Sequence, residues 1–367
     1  MAILRKIVVS DFRNIKLSEL EFSPNINCIS GGNGEGKTNL LDAIYYLSMT
    51  KSAFNTSDRF NFRYGTDMFA ISGKYAMLNA PESVFSIQVS SSGEKKVKVD
   101  GKPYSKISDH IGKIPVVIIS PADSSMVSDS GEERRRFMNG VLSQMYRSYL
   151  SDMQQYNKIL LQRNRLLKGK IVKDDLLDVY DERLADFADN IFKERNKFVE
   201  SLCPIIQKYY ADLSGDKENI SIVYSSDLQK GNLRDLLSAN REKDRILGYT
   251  SSGIQRDDLL FKLNGHSIRR CGSQGQQKSF LVSLKFAQYE IMKKNYGFSP
   301  ILLLDDVFDK LDMDRISNLL SMVSGNEFGQ IFITDSNKVR MSGIVDNLTE
   351  DRSYFVTECG NFKKESF

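Results

Sequence analysis

The first 120 residues of the chain alternate between apolar and polar positions in short runs. A period of two places every second side chain on one face of a strand. Such runs occupy residues 3–9, 17–22, 69–75, 85–89 and 97–99, and the apolar run at 115–119 is typical of a buried strand. Turn residues such as Asp100-Gly101 separate the runs. The pattern predicts a β-rich N-terminal region.

The hydrophobic period changes near residue 131. Apolar residues then recur at steps of three and four, as along the seam of a coiled coil. The predicted seam of a first helix is Tyr146, Leu150, Met153, Asn157, Leu160, Asn164 and Leu167. That of a second helix is Leu177, Tyr180, Leu184, Phe187, Ile191, Phe198, Ile205 and Tyr209. We predict two long helices, joined near residues 169–175 as an antiparallel hairpin.

Beyond residue 215 the strand and turn patterns return. Residues 220–224 and 259–263 predict strands, and the hairpin-type turn Asn264-Gly265 follows the second. Residues 279–293 predict an amphipathic helix, and residues 301–305 and 330–334 predict buried parallel strands. The fold class is therefore α/β. We predict a discontinuous head with a mixed sheet and an α/β core from residues 1–130 and 213–367, and a helical-hairpin lobe inserted at 131–212.

Composition narrows the functional classes. The apolar content of 41% and the charged content of 27% are ordinary for a globular protein, and the net charge of +4 permits a nucleic-acid partner without requiring one. The 4 cysteines form no C-x-x-C pair and only 2 histidines are present, which argues against a cysteine or histidine metal centre. Since the chain has neither a secretory apolar region nor a membrane-length run, we expect a cytoplasmic protein with no membrane partner.

The strongest candidate chemistry is a P-loop between a predicted strand at 25–30 and a predicted helix beginning near Asn39. Its residues match G-x-x-x-x-G-K-[ST] and are Gly31, Gly32, Asn33, Gly34, Glu35, Gly36, Lys37 and Thr38. Backbone N–H groups at such a helix N-terminus converge on phosphate. Lys37 is expected to bind the β- and γ-phosphates, and the Thr38 hydroxyl to hold Mg²⁺. The sequence therefore predicts a nucleotide site with Mg²⁺.

A second half of this site is predicted at residues 301–306, where an apolar strand ends in two carboxylates. Mg²⁺ needs a carboxylate opposite the P-loop threonine, and we assign Asp305 to that position. We assign Asp306, the next residue, as the general base that polarises the attacking water. The alternative is that both are solvated acids at a strand end.

Residues 271–278 resemble the signature motif of ATP-binding-cassette (ABC) proteins, S-G-G-Q. The matching positions are Ser273, Gln274, Gly275 and Gln276, with Gln274 replacing a glycine. The resemblance implies that the motif completes the nucleotide site of a partner subunit in an ATP-dependent homodimer. Asp309 and Asp312 stand at the usual D-loop distance, and Arg340 replaces the Asp of a guanine motif, which favours ATP over GTP.

Taken together, the motifs resemble the RecF family of bacterial recombination and gap-repair ATPases, related to SMC-type heads. Three further segments match the family. Residues 11–15 are similar to its F-R-N segment before the P-loop, and residues 39–44 to its continuation of the P-loop helix. Residues 121–139 contain the Arg-Arg-x-Phe core of its signature. Departures occur at Asp129, Gly131 and Asn139 and at residues 252–255, where only Arg256-Asp257-Asp258 of the family segment is retained. The resemblance implies an ABC/SMC-type P-loop ATPase head with an inserted helical lobe.

The resemblance also implies a function. A member of this family is a weak, DNA-stimulated ATPase that binds duplex DNA near single-strand gaps. It acts with RecR and RecO to promote RecA loading in repair and the SOS response. Three other classes are open: an SMC-like structural head that uses ATP only to clamp a dimer, a transporter ATPase and an ATPase–nuclease fusion. The helical insertion is short, which argues against a structural head. No switch histidine follows the strand at 330–334, which argues against a transporter ATPase. The sequence shows no additional acidic domain, which argues against a nuclease fusion.

Basic clusters are candidates for sequence-independent contact with DNA phosphates. They are Arg134 and Arg135, Lys95 and Lys96, and Lys168 and Lys170 at the predicted hairpin tip. Each cluster is also compatible with a solvated face, and the arginines with bracing of the hairpin. The first helix is mainly basic and the second mainly acidic. These charges are compatible with electrostatic attraction between the helices as well as with contact between the basic tip and DNA. Arg13 is a further candidate near the nucleotide phosphates.

Overall fold

The computed structural model describes residues 2–77, 80–169, 174–215, 218–308, 318, 328–337, 343 and 351–365. The chain divides into two compact units. The head unit comprises Met1–Asp123, Asp212–Ser214 and Gln274–Phe367, and the helical unit comprises Ser124–Ala211 and Gly215–Ser273. None of the helices described combines the length and the apolar character that crossing a membrane requires.

The N-terminal part of the head unit contains eight strands and one long helix among its described residues. They are β1 (Ala2–Phe12), β2 (Ile15–Glu21), β3 (Ile26–Ser30), α1 (Lys37–Met49), β4 (Met68–Met77), β5 (Ala80–Ser90), β6 (Lys95–Val99), β7 (Lys102–Pro103) and β8 (Val116–Ile119). Single 3-10 turns lie at Asp58–Phe60, Ile107–Asp109 and Pro121–Ser124. The predicted strands of this region are confirmed, because alternating or continuous apolar residues bury one or both faces of each strand.

The helical unit follows in the chain. Its elements are α2 (Ser125–Ser128), α3 (Gly131–Met145), α4 (Arg147–Leu167), α5 (Asp174–Ser214, whose last residues belong to the head unit), β9 (Ile220–Ser225), α6 (Leu233–Ala239), α7 (Arg241–Leu247), β10 (Asp258–Leu263), β11 (His266–Ser267) and α8 (Ile268–Cys271). Two 3-10 turns lie at Asp227–Gln229 and Ile254–Arg256. The strands form a sheet in the order β11-β10-β9.

The chain then returns to the head unit with α9 (Gln274–Tyr296), β12 (Ile301–Asp305), β13 (Ile331–Asp335), β14 (Arg352–Glu358) and β15 (Asn361–Glu365). Strands from both ends of the chain form a mixed sheet in the order β15-β14-β3-β13-β12-β8, parallel except for the β14–β15 hairpin. A second, antiparallel sheet has the order β2-β1-β4-β5-β6-β7.

Helix α1 packs against strands of both head sheets and lies in one hydrophobic core with them. Leu40, Leu41 and Leu47 of this helix are fully buried, and burial of each such side chain contributes about 1.5–3 kcal/mol relative to exposure. The packing fixes the N-terminus of α1, and with it the end of the predicted P-loop, beside the carboxyl-terminal end of β3, an inner strand of the mixed sheet.

Residues 215–273 lie in the helical unit, whereas the sequence assigned them to the head. The reason is that β9, β10 and β11 form a sheet of their own, to which the arginines of α3 and α5 are bonded. Arg134 binds Asp258 of β10, and Arg195 binds the adjacent Asp257. Sequence periodicity cannot detect such long-range ion pairs, because each partner taken alone resembles a solvated charge.

The predicted seam of the first long helix is wrong by about one residue except at Leu167, which is buried as predicted. The structure buries Tyr149, Tyr156, Ile159, Arg163 and Leu167 of α4. Leu150, Met153, Leu160 and Asn164 are only partly buried, and Asn157 is exposed. Arg163 decides the register, since its guanidinium is fully buried between two carboxylates. The two helices themselves are confirmed, since α4 ends at Leu167 and α5 begins at Asp174. Residues 170–173 of the join predicted near 169–175 lie outside the described residues.

The helix predicted at 279–293 also differs from the structure. Helix α9 begins earlier, at Gln274, and residues 279–289 are buried on every face, so the helix is not amphipathic over this stretch. Lys285 tolerates burial because its ammonium lies 2.7 Å from Oδ1 of Asp123. Gln274, Gly275 and Gln276 of the signature-like motif therefore lie in the first turn of a core helix, and Ser273 directly precedes it.

Candidate nucleotide-binding site

The predicted P-loop connects the end of β3 with the first turn of α1. Gly36 is the N-cap residue at φ 107°, and its carbonyl accepts a hydrogen bond from Leu40 N–H at 3.0 Å. Gly31 has a different requirement: a Cβ there would lie 2.6 Å from the carbonyl oxygen of Thr357. Only glycine avoids both the left-handed backbone strain at 36 and the close approach at 31. Gly32, Asn33 and Gly34 are exposed, while Glu35 is partly buried.

Lys37, the first residue of α1, folds back over this loop. Its ammonium donates hydrogen bonds to the carbonyl oxygens of Gly31 at 2.8 Å and Gly32 at 3.0 Å, and the residue is only 4% exposed. A buried positive charge beside the N-terminus of a helix attracts an anion. The arrangement is therefore suited to phosphate.

Thr38 and Asp305 meet although they are 267 residues apart in the chain. The Thr38 hydroxyl lies 2.9 Å from both Asp305 carboxylate oxygens, and the Thr334 hydroxyl donates to Asp305 Oδ1 at 2.8 Å. Burial raises the pKa of the Asp305 carboxyl above its ordinary value, and the hydrogen bonds from Thr334 and Thr38 oppose that shift. A hydroxyl and a carboxylate side by side are hard oxygen ligands that fit Mg²⁺.

Asp306, the predicted general base, follows directly after β12. Its backbone is at φ 45°, a left-handed conformation that is uncommon for a residue other than glycine, and its N–H donates to the Thr334 hydroxyl at 3.1 Å. Its side chain is partly exposed. The strand end thus presents a carboxylate next to Asp305, and its role as a base stays a prediction.

Arg13 lies near the loop but is engaged by protein atoms. It forms an ion pair with the buried carboxylate of Asp42 on α1, and it donates to Asn39 Oδ1 at 2.9 Å and to the Ser52 hydroxyl at 2.9 Å. Burial lowers the pKa of Arg13, an effect that Asp42 opposes. These contacts give the arginine a bracing function on the helix that carries Lys37 and Thr38; a contact with phosphate stays a prediction.

Several residues at the site were missed in the sequence. Asn14 donates to the carbonyl of Gly34 at 3.4 Å and accepts from the Asn39 side chain at 2.7 Å. Thr334 carries the second hydroxyl on Asp305. Thr357 and Gly360 contact the loop from the C-terminal hairpin. A hydroxyl residue at the end of a buried strand was the available signal for Thr334, whereas the hairpin residues match no motif.

The signature-like motif lies at the junction between the units in the chain. Ser273 ends the helical unit and is exposed, as is Gln274, and Gly275 and Gln276 are partly exposed in the first turn of α9. Such exposure is compatible with the predicted contact to a partner subunit, which the structure leaves untested. The D-loop candidates Asp309 and Asp312 fall outside the described residues.

The DNA candidates differ in their surroundings. Arg134 is 13% exposed and holds Asp258 with two nitrogens, at 2.6 and 3.0 Å, and Arg135 donates to the Asp257 carbonyl at 2.8 Å. Lys95 is paired with Asp58 at 2.7 Å. Lys96 is 53% exposed beside Glu94, and Lys168 is exposed. Lys170 lies outside the described residues. Bracing therefore accounts for Arg134 and Lys95 better than phosphate contact does.

Comparison with known proteins places this chain in a family. A family model described as RecF/RecN/SMC N terminal domain matches residues 3–350. The DNA replication and repair protein RecF of Phocaeicola vulgatus is 42% identical over 361 residues, covering 98% of this chain and 97% of that protein. The chain belongs to the RecF family. The RecF protein of Flavobacterium johnsoniae is similar to the same extent, with 43% identity over 96% of this chain and 99% of its own length.

Solved structures agree with the RecF assignment. A structure of the recombination mediator protein RecF with ATP in the RecFOR pathway has a TM-score of 0.90 at 30% identity, covering 100% of this chain and 98% of that chain. The Smc head domain from Pyrococcus furiosus has a TM-score of 0.59 at 16% identity, covering 100% of this chain and 96% of that chain, which shows a shared fold. The predicted ABC/SMC-type ATPase head is thereby confirmed.

Proposed function

We propose that this RecF-family chain is an ATP-dependent DNA-binding protein of recombinational repair. It binds duplex DNA at single-strand gaps as an ATP-induced homodimer and hydrolyses ATP weakly, with stimulation by DNA. With RecR and RecO it promotes RecA loading and the SOS response. The observation that carries the proposal is the meeting of Thr38 with Asp305 beside the buried ammonium of Lys37. The partners come from the family alone.

Each residue of the candidate nucleotide-binding site has a separate role in this proposal. The loop from Gly31 to Thr38 offers backbone N–H groups and the Lys37 charge to the triphosphate, and Asn39 is a further ATP-binding candidate. Thr38 and Asp305 hold Mg²⁺, which neutralises charge on the phosphates. Asp306 accepts the proton of the attacking water.

The second subunit supplies the remaining contacts. Ser273, Gln274, Gly275 and Gln276 of one copy are proposed to approach the γ-phosphate bound by the other copy, and Asp309 and Asp312 to line the same interface. A helix N-terminus with an exposed hydroxyl suits this role. Because each site needs both copies, binding of ATP and dimerisation are linked, and each strengthens the other.

The test is the mass of the particle in solution. With Mg²⁺ and a non-hydrolysable ATP analogue, light scattering after gel filtration should show a dimer. In the presence of DNA, more of this dimer should elute bound to gapped duplex than to intact duplex. Lys37→Ala removes a charge-assisted contact, and we expect at least about tenfold weaker analogue binding and a monomer under the same conditions. A wild-type chain that stays monomeric at saturating analogue contradicts the proposed mechanism.

Asp306→Asn separates hydrolysis from clamping. Loss of a general base lowers a rate by about 10²- to 10⁴-fold, so this variant should bind ATP, dimerise and persist as a dimer. An unchanged hydrolysis rate would show that Asp306 is not the base. If hydrolysis by the wild type is undetectable while dimers form, ATP serves only as a clamp, as in an SMC-like structural head.

A further inference from the structure

The C-terminal hairpin reaches the phosphate-binding loop. Strand β14 runs parallel to β3, with Phe355 opposite Ile29 and Val356 opposite Ser30. The end of β14 is therefore beside Gly31, the first residue of the loop. A two-residue turn, Cys359-Gly360, then reverses the chain into β15, with Glu358 opposite Asn361.

Three hydrogen bonds from this hairpin converge on Glu35, in the middle of the loop. The Thr357 hydroxyl and the Gly360 N–H each donate to the Glu35 carbonyl oxygen at 2.9 Å. The Cys359 N–H donates to the Glu35 carboxylate. Thr357 is buried, so its hydroxyl bond is shielded from water. Both the backbone and the side chain of Glu35 are thus held by the last strands of the chain.

Asn14 encloses the loop from the turn between β1 and β2. Its side chain donates to the Gly34 carbonyl at 3.4 Å. The backbone carbonyl oxygen of Asn14 lies 2.4 Å from where a Cβ on Gly360 would stand. Gly360 is therefore also needed for close packing of the hairpin against Asn14. Asn14 thus binds the Gly34 carbonyl, while Thr357 and Gly360 bind the neighbouring carbonyl of Glu35.

A phosphate-binding loop works only if its N–H groups face the ligand, which requires its carbonyls and any acidic side chain to be held elsewhere. Fixing a loop before binding also removes the entropy cost of ordering it afterwards. We propose that Thr357, Cys359 and Gly360 are positioning residues of the nucleotide site, which preorganise the loop through Glu35. This inference rests on the proposed binding of ATP.

Thr357→Val tests the hydroxyl while preserving shape. We expect about threefold to tenfold weaker binding of a non-hydrolysable ATP analogue with Mg²⁺ in calorimetry, the range for loss of one ordinary hydrogen bond. KM for ATP should rise by a similar factor with kcat unchanged, because preorganisation acts on binding. Ser353→Ala removes a buried hydroxyl earlier on the same strand and should change the affinity by less than about twofold.

Two neutral variants of Glu35 provide a second, independent arm. Glu35→Gln keeps an acceptor oxygen for the Cys359 N–H, whereas Glu35→Ala does not, and comparison of the two cancels the effect of the lost charge. We expect the alanine variant to bind the analogue about threefold more weakly than the glutamine variant. Equal affinities in this pair, or Thr357→Val within twofold of wild type, overturn the inference.

The controls separate this inference from the proposed function. If the folded wild-type chain and Ser353→Ala both fail to bind the analogue, the proposed function fails and the inference fails with it. If both bind and Lys37→Ala does not, nucleotide binding stands, and the Thr357 and Glu35 variants alone decide the role of the hairpin. Thermal unfolding without nucleotide shows whether each variant is folded.

Discussion

Three hairpin turns in the described part of the chain place two successive residues at positive φ. They are Asp100-Gly101 at 50° and 77°, Asn264-Gly265 at 48° and 82°, and Cys359-Gly360 at 49° and 77°. Asp and Asn tolerate this left-handed conformation, and with glycine they form the preferred two-residue turn. Cys359 has no such preference. Cys359 is therefore a strained position in the turn that contacts Glu35.

Cys359→Asn should relieve this strain. Asparagine keeps the N–H that binds Glu35 and favours the left-handed region, so we expect the free energy of unfolding to rise by about 0.5–1 kcal/mol. Urea denaturation followed by circular dichroism measures it. Cys271→Asn is the matched control, because Cys271 lies in α8 outside the positive-φ region, and it should give no gain. A lower stability for Cys359→Asn would contradict this account.

At the scale of elements, buried charges set the register of the long helices. Arg163 of α4 donates to Asp181 of α5 at 2.6 Å, to Asp244 of α7 at 2.8 Å and to the Thr250 hydroxyl at 2.9 Å. Acidic residues of α5 also bind α7: Arg241 pairs with Asp178 at 2.5 Å and with Asp181 at 3.1 Å. The predicted attraction between the two long helices thus holds for Arg163, while α7 carries much of the remaining compensation.

Arg163→Met should destabilise the helical unit strongly. Removal of the guanidinium leaves Asp181 and Asp244 buried without their main partner, and breaking a buried pair costs about 3–5 kcal/mol. Arg165→Met, on the same helix but exposed, should change stability by less than about 0.5 kcal/mol. Chemical denaturation of both variants provides the comparison. Equal effects would show that the Arg163 network contributes little.

The same network explains where prediction from sequence failed at this scale. The spacing of apolar residues located both helices and the break between them, because helix formation and burial follow a local period. It placed Leu150 and Leu160 in the seam and left Arg163 out of it. Part of the compensation for Arg163 comes from Asp244, 81 residues away. Local periodicity contains no information about such a partner.

At the scale of the whole molecule, the central contact of the candidate site, between Thr38 and Asp305, was predictable, and the contacts that support it were not. The P-loop and the acidic strand end are motifs with fixed chemistry, so Thr38 and Asp305 could be paired before the structure was known. Asn14, Thr357 and Gly360 could not be predicted, since they act through backbone groups, and the only signal for Thr334 was its position at the end of a buried strand. The DNA candidates divide in the same way, because a charge run does not reveal that Arg134 already binds Asp258.

Affinity for DNA should depend strongly on salt. The net charge is only +4, so a local basic surface must supply the phosphate contacts, and each contact contributes about −0.9 to the slope of log K against log salt. Lys96→Ala and Lys168→Ala, at exposed positions, should each reduce the magnitude of that slope by about one if the residue contacts phosphate. Fluorescence anisotropy with gapped duplex measures it. Binding unchanged between about 50 and 300 mM salt would exclude the electrostatic account.

The position of β3 has a consequence for biosynthesis. This strand leads directly into the phosphate-binding loop, yet both of its neighbours in the sheet, β13 and β14, come from the end of the chain. A ribosome therefore translates the P-loop long before β13 and β14 exist. Pairing of β3 with strands so distant in sequence is slow to form. We expect stalled or prematurely terminated products to be inert toward nucleotide, so that only finished copies can enter the proposed dimer.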